Sequence, residues 1–131
     1  MWETSGWKNE ELLWASMGLY GGIAGQQSAT CGAVSSSAVY LGLRHRQPFS
    51  DAAAVKQARL DIEREAVGLA GEFQSYFGTL VCRDLVGLDL SDPVVRRRFQ
   101  EQNLWTDTCD RFVSFVITRL YALEQARRPS K

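Results

Sequence analysis

Histidine occurs once in this sequence, proline three times and cysteine three times, and neither sign of charge is in excess. Fifteen Lys and Arg residues face fifteen Asp and Glu. A balanced charge gives nucleic acid or an anionic membrane no electrostatic hold on the chain. No uninterrupted apolar run approaches the ~20 residues that span a bilayer. The opening Met1-Trp2-Glu3-Thr4 lacks a basic stretch followed by an apolar one, so no secretory leader is expected. The expected setting is therefore a reducing cytoplasm, where cysteines act as thiols, ligands or redox groups sooner than as structural disulfides. Three cysteines cannot all pair within one chain. Strand-like alternation, internal repeats, low-complexity tracts and long linkers are absent as well.

What remains is a helical pattern on 131 residues, of which 45% are hydrophobic and 23% charged. The expected fold is all-α: one domain over 1–131, an antiparallel bundle of about five to six helices. A first helix starts at Asn9-Glu10-Glu11, carries Leu13, Met17 and Tyr20, and ends at Gly21-Gly22. A second runs from Ser28 to about Arg46, stopped by Gln47-Pro48, with the stripe Cys31, Val34, Ala38, Leu41. A third is the long spine, capped by Ser50-Asp51 and carrying Val55, Ala58, Ile62, Ala66, Leu69, Phe73 and Tyr76 to Gly78. A short fourth lies between Thr79 and Gly87. The fifth opens at Ser91-Asp92-Pro93, since proline is welcome in a first turn, and ends near Asn103. A sixth starts at Thr106 and carries Cys109, Val113, Val116, Leu120 and Leu123 to Arg127-Arg128-Pro129.

The candidate chemistry lies in the cysteines. Ser28 precedes Cys31, Thr79 precedes Cys82 and Thr106 precedes Cys109, each by three residues. Each hydroxyl is expected to cap a helix and to place its cysteine at the third helical position. Helix N-termini stabilise a thiolate, the form that attacks disulfides and binds soft metals, while burial opposes it. Short connections make the second, fourth and sixth helices run one way, which gathers the three sulfurs at one end. The glycine-rich loop of Gly21, Gly22, Gly25, Gln26 and Gln27 covers that end. Arg83 favours the Cys82 thiolate, whereas Asp107 and Asp110 oppose ionisation of Cys109.

The strings Gly21-Gly22-Ile23-Ala24-Gly25 and Cys31-Gly32-Ala33-Val34 resemble the signature of the C_GCAxxG_C_C family. Phe77-Gly78-Thr79-Leu80-Val81-Cys82-Arg83-Asp84-Leu85 and the isolated Cys109 match its later cysteines in order. The resemblance runs from about Leu19 to Val116. It implies a small cysteine-centred helical protein with redox activity, whose reaction it does not specify. Family members usually carry a further cysteine upstream of the glycine loop, which is missing here, and Ser36 stands where a glycine is common.

The expected function is thus thiol–disulfide redox chemistry. Cys31, Cys82 and Cys109 are the candidate catalytic residues, and Gly21, Gly22, Gly32 and Arg83 the candidate binding residues around them. Cys31 is the favoured nucleophile, because its helix start is glycine-rich and free of acids; Cys82 or Cys109 would resolve it. Two alternatives stay open: a metal- or cofactor-binding domain using the same three sulfurs, and a non-catalytic helical interaction module in which they pack as small hydrophobes. The sequence specifies neither a cofactor nor the redox partner. His45 cannot join a metal site with Cys31, because fourteen helical residues place it about 21 Å away; it is expected to serve as a cation near a helix end. The remaining polar features read as scaffold. Gly18, Gly21, Gly22 and Gly25 lack the strand and lysine of a phosphate loop. Ser35-Ser36-Ser37 is a small packing face with no base beside it, and Arg96-Arg97-Arg98 is a solvated face. Glu63 and Glu65 are expected to face solvent. Trp2, Trp7 and Trp14 should be buried in the core or at a homo-oligomer contact.

Overall fold

Caps and stop signals place most of the helices. The computed structural model describes residues 10–127. In chain order it contains α1 (Glu11–Trp14), a 3₁₀ turn (Met17–Leu19), α2 (Gly32–Arg44), α3 (Ala52–Phe77), α4 (Cys82–Val86), α5 (Pro93–Glu101) and α6 (Cys109–Arg127). Among the described residues there is no strand, only an isolated antiparallel bridge between Thr30 and Val81. The Asp51 carboxylate accepts the Ala54 N–H at 2.9 Å and starts α3. Gly78, at φ +88°, supplies the left-handed residue that ends it. Asp92 accepts the Val94 N–H at 2.7 Å ahead of Pro93, which starts α5.

Three helices carry the core: α2, α3 and α6 pack on one another in pairs. Their directions follow from the contacts. Arg44, the last residue of α2, pairs with Glu65, halfway along α3, and with Glu124 near the end of α6. At the other end Phe73 and Phe77, late in α3, stack on Phe112, early in α6. Hence α2 and α6 run together and α3 runs against both. The buried cluster is Cys31, Val34, Leu41, Leu69, Phe73, Phe112, Val116 and Leu120.

Several expectations fail in detail. The first helix ends at Trp14: Leu13, Met17 and Tyr20 are exposed, and Trp14, 71% exposed, is not a core residue. In α2 the stripe is Val34, Ser37 and Leu41, with Ala38 outside; Ser37 is buried because its hydroxyl donates to the Val34 carbonyl at 2.6 Å. In α3 the inward ring is Phe77, not Tyr76, which is 68% exposed. In α6 Phe112 replaces Val113 for the same rotational reason. Glu65 does not face solvent. It accepts a charge-assisted bond from buried Arg44, and its Oε2 lies 2.8 Å from Nε2 of His45, the C-cap residue of α2. Arg44 Nη2 also donates to the Leu123 carbonyl at 2.9 Å, so the buried cation is held from both neighbouring helices. Glu63 is exposed, as are Arg96, Arg97 and Arg98. Asn9, Trp2, Trp7 and Arg128-Pro129 lie outside the described residues.

Candidate functional site

None of the three hydroxyls caps its helix as expected. Ser28 lies four residues before Gly32, too far to reach the first turn of α2. The Thr79 hydroxyl accepts the N–H of Val81, the residue before α4, at 3.1 Å. The Thr106 hydroxyl donates to the Asn103 carbonyl at 2.8 Å. The cysteines nevertheless stand at helix starts, earlier than expected: Cys31 is itself the N-cap residue of α2, and Cys82 and Cys109 are the first residues of α4 and α6.

A short piece of β structure brings two of those starts together. On one side of the Thr30–Val81 bridge the Cys31 N–H donates to the Leu80 carbonyl at 2.8 Å. On the other the Cys82 N–H donates to the Ala29 carbonyl at 3.0 Å. Residue 31 therefore opposes residue 80, and residue 82 is its diagonal neighbour on the same face. Such diagonal residues stand roughly 7–8 Å apart, against about 4.4–6.8 Å between the Cα atoms of a disulfide. A bond between the two sulfurs therefore requires the turns to close on each other. Cys109 starts α6 at the same end of the bundle, three residues before Phe112, which packs on Phe77. All three cysteines are free; Cys31 and Cys82 are buried and Cys109 is half-buried.

The glycines make this approach possible. Gly22, at φ +59°, leaves no room for a side chain: a Cβ there would lie 2.7 Å from the Ala29 carbonyl oxygen and 2.8 Å from Cys82 Cβ. Gly32 is equally tight, 2.9 Å from the Leu19 oxygen and from Tyr20 Cα. Gly21 adopts φ +51° against Gly25. These three serve close packing of the loop on the sulfur-bearing turns. Arg83 does not turn to the neighbouring sulfur; its Nη2 bonds the Asp89 carboxylate at 3.2 Å on the surface. Asp107 and Asp110 are exposed.

Gln27, expected only as part of the loop over the cysteine end, is a buried anchor of that loop. It is 1% exposed, at φ +61°, and every polar group visible on its side chain has work. Its Nε2 donates to the Leu88 carbonyl at 3.1 Å, and its Oε1 accepts the Leu90 N–H at 2.6 Å. Its backbone carbonyl accepts the N–H of Arg83 at 3.0 Å. A polar residue among turn-forming neighbours looks solvent-exposed in one dimension, so no sequence signal marked it.

Burial decides the contest that the sequence left open. Desolvation raises the Cys31 thiol above its ordinary value. The N–H groups of Ala33 and Val34 pull it down without reaching capping geometry, and Cys109 pushes it up. Cys82 is pushed to about 11, by burial first and then by Cys31 and Cys109. A stability consequence follows. The unfolded thiol ionises near about 8.5, so the folded state holds the Cys82 proton longer. The contribution is complete below that pH and is lost as pH rises through about 11. Urea unfolding across this window should show Cys82 costing the fold up to about 3 kcal/mol. Cys82→Ala should flatten the decline by that amount, and equal slopes in both proteins would contradict it.

Among the described residues, no group of three or more His, Cys, Asp or Glu side chains is arranged to hold a metal ion, and no helix is long and apolar enough to cross a membrane. No curated protein and no solved structure matches the chain. A family model does: the one described as "Putative redox-active protein (C_GCAxxG_C_C)" matches residues 1–123, and the chain belongs to that family.

Proposed function

We propose that this protein carries out thiol–disulfide exchange through its cysteine cluster, with Cys31 as the attacking sulfur and Cys82 as the resolving one. The observation that carries the reading is the antiparallel bridge, which makes these two cysteines diagonal neighbours at the starts of α2 and α4. The Cys31 thiolate attacks a substrate disulfide, forming a mixed disulfide and releasing one substrate thiolate. The Cys82 thiol gives its proton to solvent or base, and its sulfur attacks Cys31, expelling the second substrate thiol. The protein dithiol is thereby oxidised and one disulfide reduced to two thiols. Two features support the order of attack. Burial raises the Cys31 thiol, but the N–H groups of Ala33 and Val34 at the start of α2 pull it back down, whereas Cys82 holds its proton to about 11. Burial of both keeps the reaction slow at neutral pH, because only the thiolate attacks.

The test is equilibration of the reduced protein with oxidised dithiothreitol or glutathione, an acid quench, and peptide mapping under non-reducing conditions. A Cys31–Cys82 cross-linked peptide is expected. Cys82→Ser should accumulate the mixed disulfide on Cys31, and Cys31→Ser should lower the exchange rate at least a hundredfold. Three free thiols at equilibrium in a buffer as oxidising as about −180 mV would overturn the reading. The cysteines would then be packing residues of a helical scaffold.

A further inference from the structure

Five consecutive residues of the glycine loop, 21–25, stand in the left-handed region, at φ +51°, +59°, +67°, +50° and +85°. L-residues enter that region singly and at a cost, and a β-branched residue such as Ile23 is an outlier there. Ile23 and Ala24, the two non-glycines, are exposed, so burial does not hold them in place. The backbone hydrogen bonds of the loop close on its own turn. Ala24 donates to Gly18 at 3.0 Å, Gly25 to Tyr20 at 3.2 Å and Gln27 to Gly21 at 2.9 Å. The far end is tied to the fold, where buried Gln27 bonds the Leu88 carbonyl and the N–H groups of Leu90 and Arg83. The near end is loosely packed: Met17, Tyr20 and Ile23 are each more than half exposed. Between the ends the loop covers Cys82, because Gly22 is pressed against the Cys82 Cβ and the Ala29 oxygen. We infer that residues 21–27 form a strained lid over the resolving sulfur, hinged at Gln27, whose opening relaxes the left-handed residues and brings Cys82 to solvent.

Strain acts in one state only. It raises the free energy of the closed lid and disappears from the open one, so opening becomes easier. Opening also forfeits little apolar burial, since Ile23 and Tyr20 face water already. Two features keep the lid shut: the close contact that Gly22 permits, and the buried hydrogen bonds of Gln27. The purpose of the lid rests on the exchange chemistry proposed above. Cys82 must lose a proton and move toward Cys31, and the cover on its turn stands against both. A closed lid protects the dithiol, and an open one lets it react.

The experiment measures alkylation of Cys82 by iodoacetamide at fixed pH in the folded, reduced protein, resolved by peptide mapping. Two substitutions act with opposite signs. Ala24→Gly removes strain from the closed lid and should slow Cys82 alkylation about two- to fivefold. Gly25→Ala adds strain without a clash, because its Cβ would meet Tyr20 Cε2 at an ordinary 3.5 Å. It should speed the reaction by about the same factor. The Cys109 rate should stay in place in both. Urea below the unfolding transition should leave the Cys82 rate nearly flat, because a lid exposes little surface when it opens. A rate that climbs with urea in step with global unfolding overturns the inference. So do variants that leave the Cys82 rate unmoved or move it in one common direction. Should Gly25→Ala not fold, the sign of Ala24→Gly and the urea series decide. These readouts do not require a disulfide to form. A working lid without a Cys31–Cys82 bond would therefore sink the exchange reading alone, and a bond without the paired shifts would sink the lid alone.

Discussion

Gly22→Ala is expected to lower the unfolding free energy by about 2–6 kcal/mol. About 1–3 kcal/mol of that comes from holding a non-glycine residue at positive φ, and about 1–3 kcal/mol from overpacking. The conformation is φ +59°, and the new methyl would sit inside contact distance of the Ala29 oxygen and Cys82 Cβ. Neither neighbour can retreat cheaply. The Ala29 oxygen accepts the Cys82 N–H, and Cys82 starts α4, so the clash acts on the bridge that joins the two cysteine turns. Urea unfolding of the reduced protein measures the loss. Alkylation of Cys82 at fixed pH should accelerate as its turn detaches. Gly42→Ala is the control: that glycine is inside α2 with nothing within 4 Å of an added Cβ, so alanine should stabilise the helix by about 0.5–1 kcal/mol. A Gly22→Ala protein as stable as the parent would mean that the loop does not pack on Cys82 as described.

Phe73→Ala is expected to cost about 3–5 kcal/mol, the range for removing a buried aromatic ring. Phe73 has no exposed surface, and its ring centroid lies 4.7 Å from Phe77, 5.9 Å from Phe112 and 5.7 Å from Phe115. It is the meeting point of α3 and α6 at the end where the cysteines start their helices. A void there removes dispersion contacts from three rings at once, and edge-on aromatic pairs add to the area term. Tyr76→Ala, one turn further along α3, should cost under about 1 kcal/mol, because most of that ring is in water. Equal losses at the two positions in a denaturant series would contradict the packing.

The comparison of Tyr76 with Phe77 shows how far a periodic pattern reaches. Apolar spacing located α3 and its ends, since Asp51 and Gly78 act through local chemistry, but adjacent aromatic residues differ by only 100° around the helix. Which of them faces inward depends on where α6 arrives. The same ambiguity exchanged Val113 for Phe112. Arg44, Glu65 and Glu124 were illegible for a related reason: three charged residues on three helices look solvated until packing brings them together. The cysteine cluster was reached in the sequence by a faulty route. The shared Ser/Thr offset was real as a pattern, yet the hydroxyls bond elsewhere, and Cys31 occupies the cap position itself.

Local chemistry in the chain settled the helical class, most helix limits, the family and the three sulfurs as the distinctive groups, because caps, stops and side-chain spacing act over a few residues. Tertiary structure alone decided which sulfurs neighbour one another, that desolvation outweighs the helix-start potential at Cys31 and Cys82, and that Gln27 is buried against the latter. Those outcomes depend on the Thr30–Val81 contact across 51 positions of chain and on the water excluded around it, neither of which has a local signature in a sequence.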